Sequence, residues 1–178
     1  WERHHDLAVA HHQIGHAHKS LGDAESGLAS FLASLDAFHA ALDLSPGNSV
    51  IVLDVLSARD RLATTLVGLG RPDEAREHRH AALARIEVWA DTNPNDAPAR
   101  FALARERIKM GELHLADGDL GSARSLFMTA FDLTKQLVDA DPSNSAKRRQ
   151  HGVAHYKFGE VAQVTATDES QPLDVRIA

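Results

Sequence analysis

The chain has no cysteine, only 5% aromatic residues and no apolar run that approaches the ~20 residues needed to span a bilayer. Without cysteine, disulfides, iron–sulfur clusters, thiolate zinc sites and cysteine nucleophiles are excluded. Basic residues are not in excess either, since 19 Lys and Arg stand against 25 Asp and Glu and give a net charge of −6. This balance argues against nucleic acid as the main partner. The sequence also predicts no membrane association.

The composition that remains is that of a globular protein, with 43% apolar and 25% charged residues. A length of 178 residues suits one domain or one tight array. The chain begins at Trp1 rather than Met, from which we expect an excised piece of a longer protein. Histidine is abundant, with 12 residues in all.

A repeat with a period of about 48 residues runs through the chain. Pro46, Pro94 and Pro142 stand at equal intervals in similar polar segments. Two further series keep the same spacing: Gly22, Gly70 and Gly118, then Gly15, Ala63, Gly111 and Gly159. Several independent series in one register identify three full units, 1–48, 49–96 and 97–144, and a partial unit, 145–165.

Each unit contains two helical stretches. The first helices are predicted over 1–20, 49–68, 97–116 and 145–165, and the second helices over 23–44, 72–92 and 120–140. Pro72 and Pro98 suit a first helical turn, Asp96 and Asn144 suit N-caps, and the glycine series at Gly22 suits a helix stop. No strand pattern of useful length occurs, so the predicted fold is all-α. Residues 166–178 are predicted to form a loop and tail.

Small residues recur where the two helices of a unit should touch. The series at Gly15 faces, by spacing, a second small series at Gly27, Ala75 and Ala123. Phe31 and Phe127 should pack beside these contacts. One such hairpin cannot bury its own apolar face, so neighbouring hairpins must stack into a solenoid.

These motifs resemble the tetratricopeptide repeat family. The resemblance is carried by the large–small pairs of the first helices, Ile14-Gly15, Leu62-Ala63, Met110-Gly111 and Phe158-Gly159, and by the small residue twelve positions later. The family's usual unit has about 34 residues, and the longer unit looks like the long-helix arrays of bacterial signalling proteins. The resemblance implies an α-solenoid of antiparallel hairpins, a right-handed superhelix of about 3.5 repeats. It also implies a cytoplasmic protein-interaction scaffold without a cofactor.

In that family, the first helices line a groove in which partner segments lie. Carried over by register, this groove includes Val9, His12, His16, Ser57, Asp60, Arg61, Thr64, Arg105, Ile108, Lys109, Glu112, Val153, Tyr156 and Glu160. Family members that grip a terminal carboxylate use basic and amide residues at several of these places. The resemblance therefore implies a protein or peptide partner, acidic or bearing a C-terminal carboxylate.

Arg105 and Lys109 match the family's basic pair, whereas histidines and Arg61 replace its other residues, so the carboxylate clamp is partial. An alternative is that Arg105 and Lys109 form ion pairs with Glu112 and Asp60 on a solvated face.

His12 and His16 are weak candidates for a metal site, because a spacing of four places both imidazoles on one helix face. Glutamine stands where a zinc protease needs its glutamate base, and no third ligand is evident nearby. No Gly-x-Ser-x-Gly elbow or phosphate-binding loop occurs, so we predict that the chain is not an enzyme. An alternative function of the chain is therefore metal binding through its histidines.

The last unit lacks its second helix. The apolar face of 145–165, with Val153, Phe158, Val161 and Val164, therefore needs a cover. The helix could cap the array alone, receive the next helix of a longer chain, or pack against a second copy as a homodimer. The alternative function is thus a regulatory or oligomerisation segment of a larger bacterial signalling protein.

Overall fold

A computed structural model describes residues 1–169, and side chains up to residue 164. The described chain contains seven helices and no strand, which confirms the all-α prediction. In chain order they are α1 (Glu2–Ser20), α2 (Ala24–Leu44), α3 (Ser49–Gly68), α4 (Pro72–Thr92), α5 (Ala97–Ala116), α6 (Leu120–Ala140) and α7 (Ser145–Glu169). None of the helices in this part of the chain has the length and apolarity to cross a membrane.

The helix positions repeat with the period of the sequence, since α2, α4 and α6 begin at the evenly spaced Ala24, Pro72 and Leu120. The predicted bounds agree with the structure within one residue, except at the end of α7. There the helix continues to Glu169, so the loop predicted from residue 166 is wrong over its first four residues. No glycine or proline interrupts 160–169, and a polar composition alone does not end a helix. The rest of the predicted loop and tail, 170–178, lies outside the described residues.

The predicted helix-end signals act as expected. Gly22, Gly70 and Gly118 follow helices with φ of 83°, 74° and 78°, the left-handed conformation that favours glycine. The Asp96 carboxylate accepts a hydrogen bond from the backbone N–H of Ala99 at 3.1 Å and caps α5. These local devices explain why the helix starts and stops are readable from the sequence.

The folded chain divides into two compact structural units, each larger than one sequence repeat. The first unit is Trp1–Trp89, and the second unit begins at Ala90. In the first, α1 packs antiparallel on α2, and α2 packs on α3. A Cβ added at Gly27 would lie 3.2 Å from the Gly15 carbonyl oxygen, so the predicted contact between small residues is confirmed. Buried Ser34 donates a hydrogen bond from α2 to the Ala8 carbonyl of α1 at 2.8 Å.

The second unit repeats this hairpin in α5 and α6, with α7 packed on α6. Fully buried Phe127 lies against Gly111, where an added Cβ would come within 2.5 Å of the ring. At the equivalent Gly159 of α7, an added Cβ would meet nothing within 4 Å. Val161 of α7 is buried in the core cluster of this unit, so that part of the α7 face is covered.

Two apolar side chains are more exposed than their helical spacing alone suggests. Ile14 is 47% exposed, whereas its counterparts Leu62 and Met110 are buried. Leu32, which follows the apolar period of α2, is 43% exposed. The helical period gives the direction of a side chain, but burial also requires a neighbouring helix on that side.

Candidate partner-binding surface

The first helices of the first unit bring three predicted groove residues together. The His12 and His16 rings lie on α1 in a perpendicular arrangement with their centroids 4.8 Å apart. Both rings also contact Phe31 of α2, at centroid distances of 5.5 and 5.3 Å. Exposed Arg61 extends from α3 close enough for its charge to act on both imidazoles. We call His12, His16 and Arg61 the histidine–arginine cluster.

The cluster holds its two histidines in the neutral form at neutral pH. Burial lowers the pKa of His12, and the neighbouring His16 and the Arg61 guanidinium lower it further. Burial also lowers the pKa of His16, followed by the charges of Arg61 and Lys19. The Nε2 atom of His12 is buried and has no hydrogen-bond partner in the described chain. Arg61 therefore carries the positive charge of the cluster.

Sequence reasoning missed one member of this surface, Asp54 of α3. Its Oδ2 lies 2.8 Å from His5 Nε2, which links α1 directly to α3. The charge of Asp54 also raises the pKa of His12, but burial, His16 and Arg61 lower this pKa by more. The sequence contained a signal for this contact. Asp54 and Arg61 are seven residues apart and share one face of α3. His5 and His12 share one face of α1 with the same spacing.

The remaining predicted residues of the first unit have different surroundings. Val9 is 38% exposed, and Ser57 is also exposed. Thr64 donates its hydroxyl to the Asp60 carbonyl of its own helix at 2.8 Å. The Asp60 carboxylate lies 3.1 Å from Arg79 Nη1 of α4. Asp60 therefore contacts the second helix of its own repeat.

In the second unit, α5 carries one freely exposed cation and one buried residue among the predicted set. Arg105 is exposed and has neither an ion pair nor a hydrogen bond within the described part of the chain. Ile108, predicted to lie in the groove, is only 4% exposed because it packs with Phe127 and Ala154 in the core. Arg105 is therefore accessible to a partner on the surface of α5, whereas Ile108 is not.

The alternative in which Arg105 and Lys109 both form ion pairs is wrong for Arg105, since its guanidinium has no partner among the described residues. Lys109 differs from Arg105. Its Nζ lies 2.9 Å from Oε1 of Glu106, a carboxylate with a side chain only 5% exposed. Sequence reasoning missed Glu106, whose spacing of three from Lys109 was the available signal. Lys109 is therefore a weaker candidate for the carboxylate clamp than Arg105.

On α7, a lysine that the sequence prediction omitted organises the surface. Lys157 Nζ lies 3.3 Å from carboxylate oxygens of both Glu112 on α5 and Glu160 on α7. The same ammonium lies 5.9 Å from the Tyr156 ring centroid. Tyr156 is 65% exposed and Val153 is 40% exposed. The first helices α5 and α7 thus meet through an ion pair, whereas α1 and α3 meet through the His5–Asp54 hydrogen bond.

The histidine pair does not form part of a larger metal-ligand set. Among the side chains that the structure describes, up to residue 164, no group of three or more His, Asp or Glu is arranged to hold a metal ion. His12 and His16 offer two imidazoles, whereas a catalytic zinc needs three protein ligands.

Comparison with known proteins assigns no family to this arrangement. No family model matches the chain, and no curated protein matches it significantly. The functional argument therefore depends on the repeat and on the residues that line its first helices.

Proposed function

We propose that the chain is a tetratricopeptide-like α-solenoid of about 3.5 repeats that acts as an interaction scaffold of a bacterial cytoplasmic protein. Its first helices bind a peptide or partner segment in a concave groove. The observation that carries this proposal is the histidine–arginine cluster, in which exposed Arg61 of one first helix acts on the partly buried His12 and His16 of the preceding first helix. The even spacing of the helix starts along the chain supports the array.

The charges of the surface favour an acidic partner. Arg61 and Arg105 are exposed, and neither forms an ion pair within the described chain. Guanidinium groups bind carboxylates through paired N–H donors. Exposed Val9 and Tyr156 add apolar contact area to the same first-helix series. An acidic segment with apolar side chains, or a C-terminal carboxylate, suits these groups.

Calorimetry with short acidic peptides tests this proposal, using each peptide with a free and an amidated C-terminus. Arg61→Gln and Arg105→Gln should each weaken binding about fivefold, the equivalent of ~1 kcal/mol. Arg124→Gln is the matched control, because Arg124 is an exposed arginine on the second helix α6. Unchanged affinity in both groove variants, or equal weakening in the control, would exclude the groove as the binding site.

A second function is favoured by the exposed face of α7. Val153, Tyr156 and Val164 are 40%, 65% and 43% exposed, and they follow a helical stripe beside the open Gly159. We propose that this stripe supports self-association, as in an oligomerisation segment of a signalling protein. Light scattering should then show a dimer that Val153→Lys and Val164→Lys convert to a monomer. A monomeric parent chain would contradict this function and leave the groove proposal intact.

A further inference from the structure

A second site lies in the first unit, away from the histidine–arginine cluster. It is an open cleft of about 490 Å³ lined by residues of α2, α3 and α4. Leu42, Val55, Ala81 and Ala84 form its apolar walls, and His39, Asp43, Arg59 and Arg85 supply its polar groups. This volume is in the range of small-molecule sites, which combine apolar walls with a few polar groups.

Arg59 enters the cleft from α3 with part of its guanidinium unsatisfied. Its Nε is buried and has no hydrogen-bond partner in the described chain. Its Nη1 lies 3.5 Å from Nδ1 of His78 on α4. A guanidinium can only donate, so His78 must present an unprotonated Nδ1 and stay neutral. Burial and the charge of Arg59 lower the pKa of His78 accordingly.

Arg85 enters the same cleft from α4 with the same deficiency. Its Nε is also buried without a partner among the described residues. Asp43 is the one carboxylate in the lining, and it forms no ion pair with either arginine. Two cationic side chains from two helices thus line one cleft with donors that lack an acceptor. These Nε atoms are closed to solvent, so an oxyanion in the cleft would bind the guanidiniums through their outer Nη groups.

The surrounding titratable groups leave the arginines as the dominant charges of the cleft. Burial lowers the pKa of His39, and the charge of Arg59 lowers it further, so this imidazole is neutral. The carboxylates of Asp36 and Asp43 act on His39 in the opposite direction. Both aspartates are exposed, where solvent screens their charge. The interior of the cleft therefore carries two positive charges opposite apolar walls.

We propose that this cleft binds a small organic phosphate, with the phosphate between Arg59 and Arg85 and the organic part against Leu42 and Val55. A phosphate monoester is tetrahedral and carries up to two negative charges, so it matches donors that arrive from two arginines on different helices. A carboxylate carries a single negative charge on two coplanar oxygens, so it matches two guanidiniums from different helices less well than a phosphate does. The cleft volume exceeds that of a phosphate group alone, which leaves room for an organic substituent.

Titration of the full chain with phenyl phosphate tests the proposal, with inorganic phosphate, benzoate and benzyl alcohol as comparison ligands. NMR of the arginine Nε–H groups should show saturable shifts of Arg59 and Arg85 with phenyl phosphate. Benzoate should bind at least fivefold more weakly, and benzyl alcohol should not bind. Inorganic phosphate should bind more weakly than phenyl phosphate because it leaves the apolar walls uncovered.

Variants separate the site from general charge attraction. Arg85→Gln should weaken phenyl phosphate binding about tenfold, and Arg85→Lys should restore less than half of the loss because it lacks the planar fork. Arg59→Gln should behave like Arg85→Gln, with circular dichroism to verify folding. Arg124→Gln, the exposed control, should change nothing. Absence of saturable binding, benzoate binding as tight as phenyl phosphate, or equal loss in the control would overturn the proposal.

Discussion

Replacement of Gly111 by alanine tests how the helices of a repeat pack. An added Cβ would lie 2.5, 2.8 and 2.9 Å from three ring atoms of Phe127. The ring is fully buried, so it cannot move away without disturbing the core of the second unit. Overpacking of this kind costs about 1–3 kcal/mol, and three contacts below 3.0 Å point to the upper end.

Alanine also favours the helix by about 1 kcal/mol relative to glycine, which offsets part of the cost. We therefore expect Gly111→Ala to lower the stability by about 2 kcal/mol and the melting temperature by roughly 4–8 °C. Gly159→Ala is the matched control, since Gly159 holds the same repeat position and an added Cβ there meets nothing within 4 Å. This variant should gain about 0.5–1 kcal/mol from helix propensity alone.

Thermal unfolding followed by circular dichroism measures both variants under identical conditions. The double variant Gly111→Ala/Phe127→Leu should be destabilised by less than the sum of the two single variants, because the smaller leucine side chain relieves the clash. If Gly111→Ala melts at or above the parent chain, as Gly159→Ala should, then the close approach of α5 to Phe127 is wrong.

Three further predictions concern stability. Because the pKa values of His12 and His16 are lowered from 6.5, the unfolded chain binds protons at higher pH than the folded chain. The stabilisation by these two neutral histidines is complete above about pH 6.5 and is lost as the pH falls through their pKa values in the folded chain. The urea midpoint should therefore decrease on acidification. The decrease should be smaller in a His12→Gln/His16→Gln variant. Ser34→Ala should cost ~1 kcal/mol in chemical unfolding by removing a buried hydrogen bond between helices, whereas Ser30→Ala, which loses a bond within α2, should be nearly neutral. Gly118→Ala should cost about 1 kcal/mol in the same assay because of its φ of 78°, and an unchanged midpoint would contradict the left-handed helix stop.

The helices could be predicted from the sequence because their signals are local. Asp96 caps α5 through a backbone N–H only three residues away, and Gly118 ends the same helix through its own backbone conformation. Neither signal depends on how the helices pack. The repeat then supplied the contact between Gly15 and Gly27, since only small residues permit such close approach. The end of α7 was missed because no local stop signal stands before 170.

The details of the candidate surface could not be predicted in the same way. Lys157 of α7 pairs with Glu112 of α5, and the distance between the two side chains depends on how these helices pack, which one sequence does not reveal. Lys109 forms an ion pair with the buried Glu106, and this pairing depends on a side-chain conformation that the sequence does not specify. The histidine–arginine cluster was predicted as groove residues by register, whereas Asp54 was missed because its partner His5 lies far away in the sequence.

The most direct measurement is NMR mapping of an acidic peptide with a free C-terminal carboxylate on the full chain. The account predicts shifts concentrated on exposed first-helix residues, with Arg61 and the His12 and His16 imidazoles among the largest. Second-helix residues such as Arg124 should remain unchanged. Shifts confined to the second helices, or none at saturating peptide, would contradict the proposal that the first helices form the binding surface.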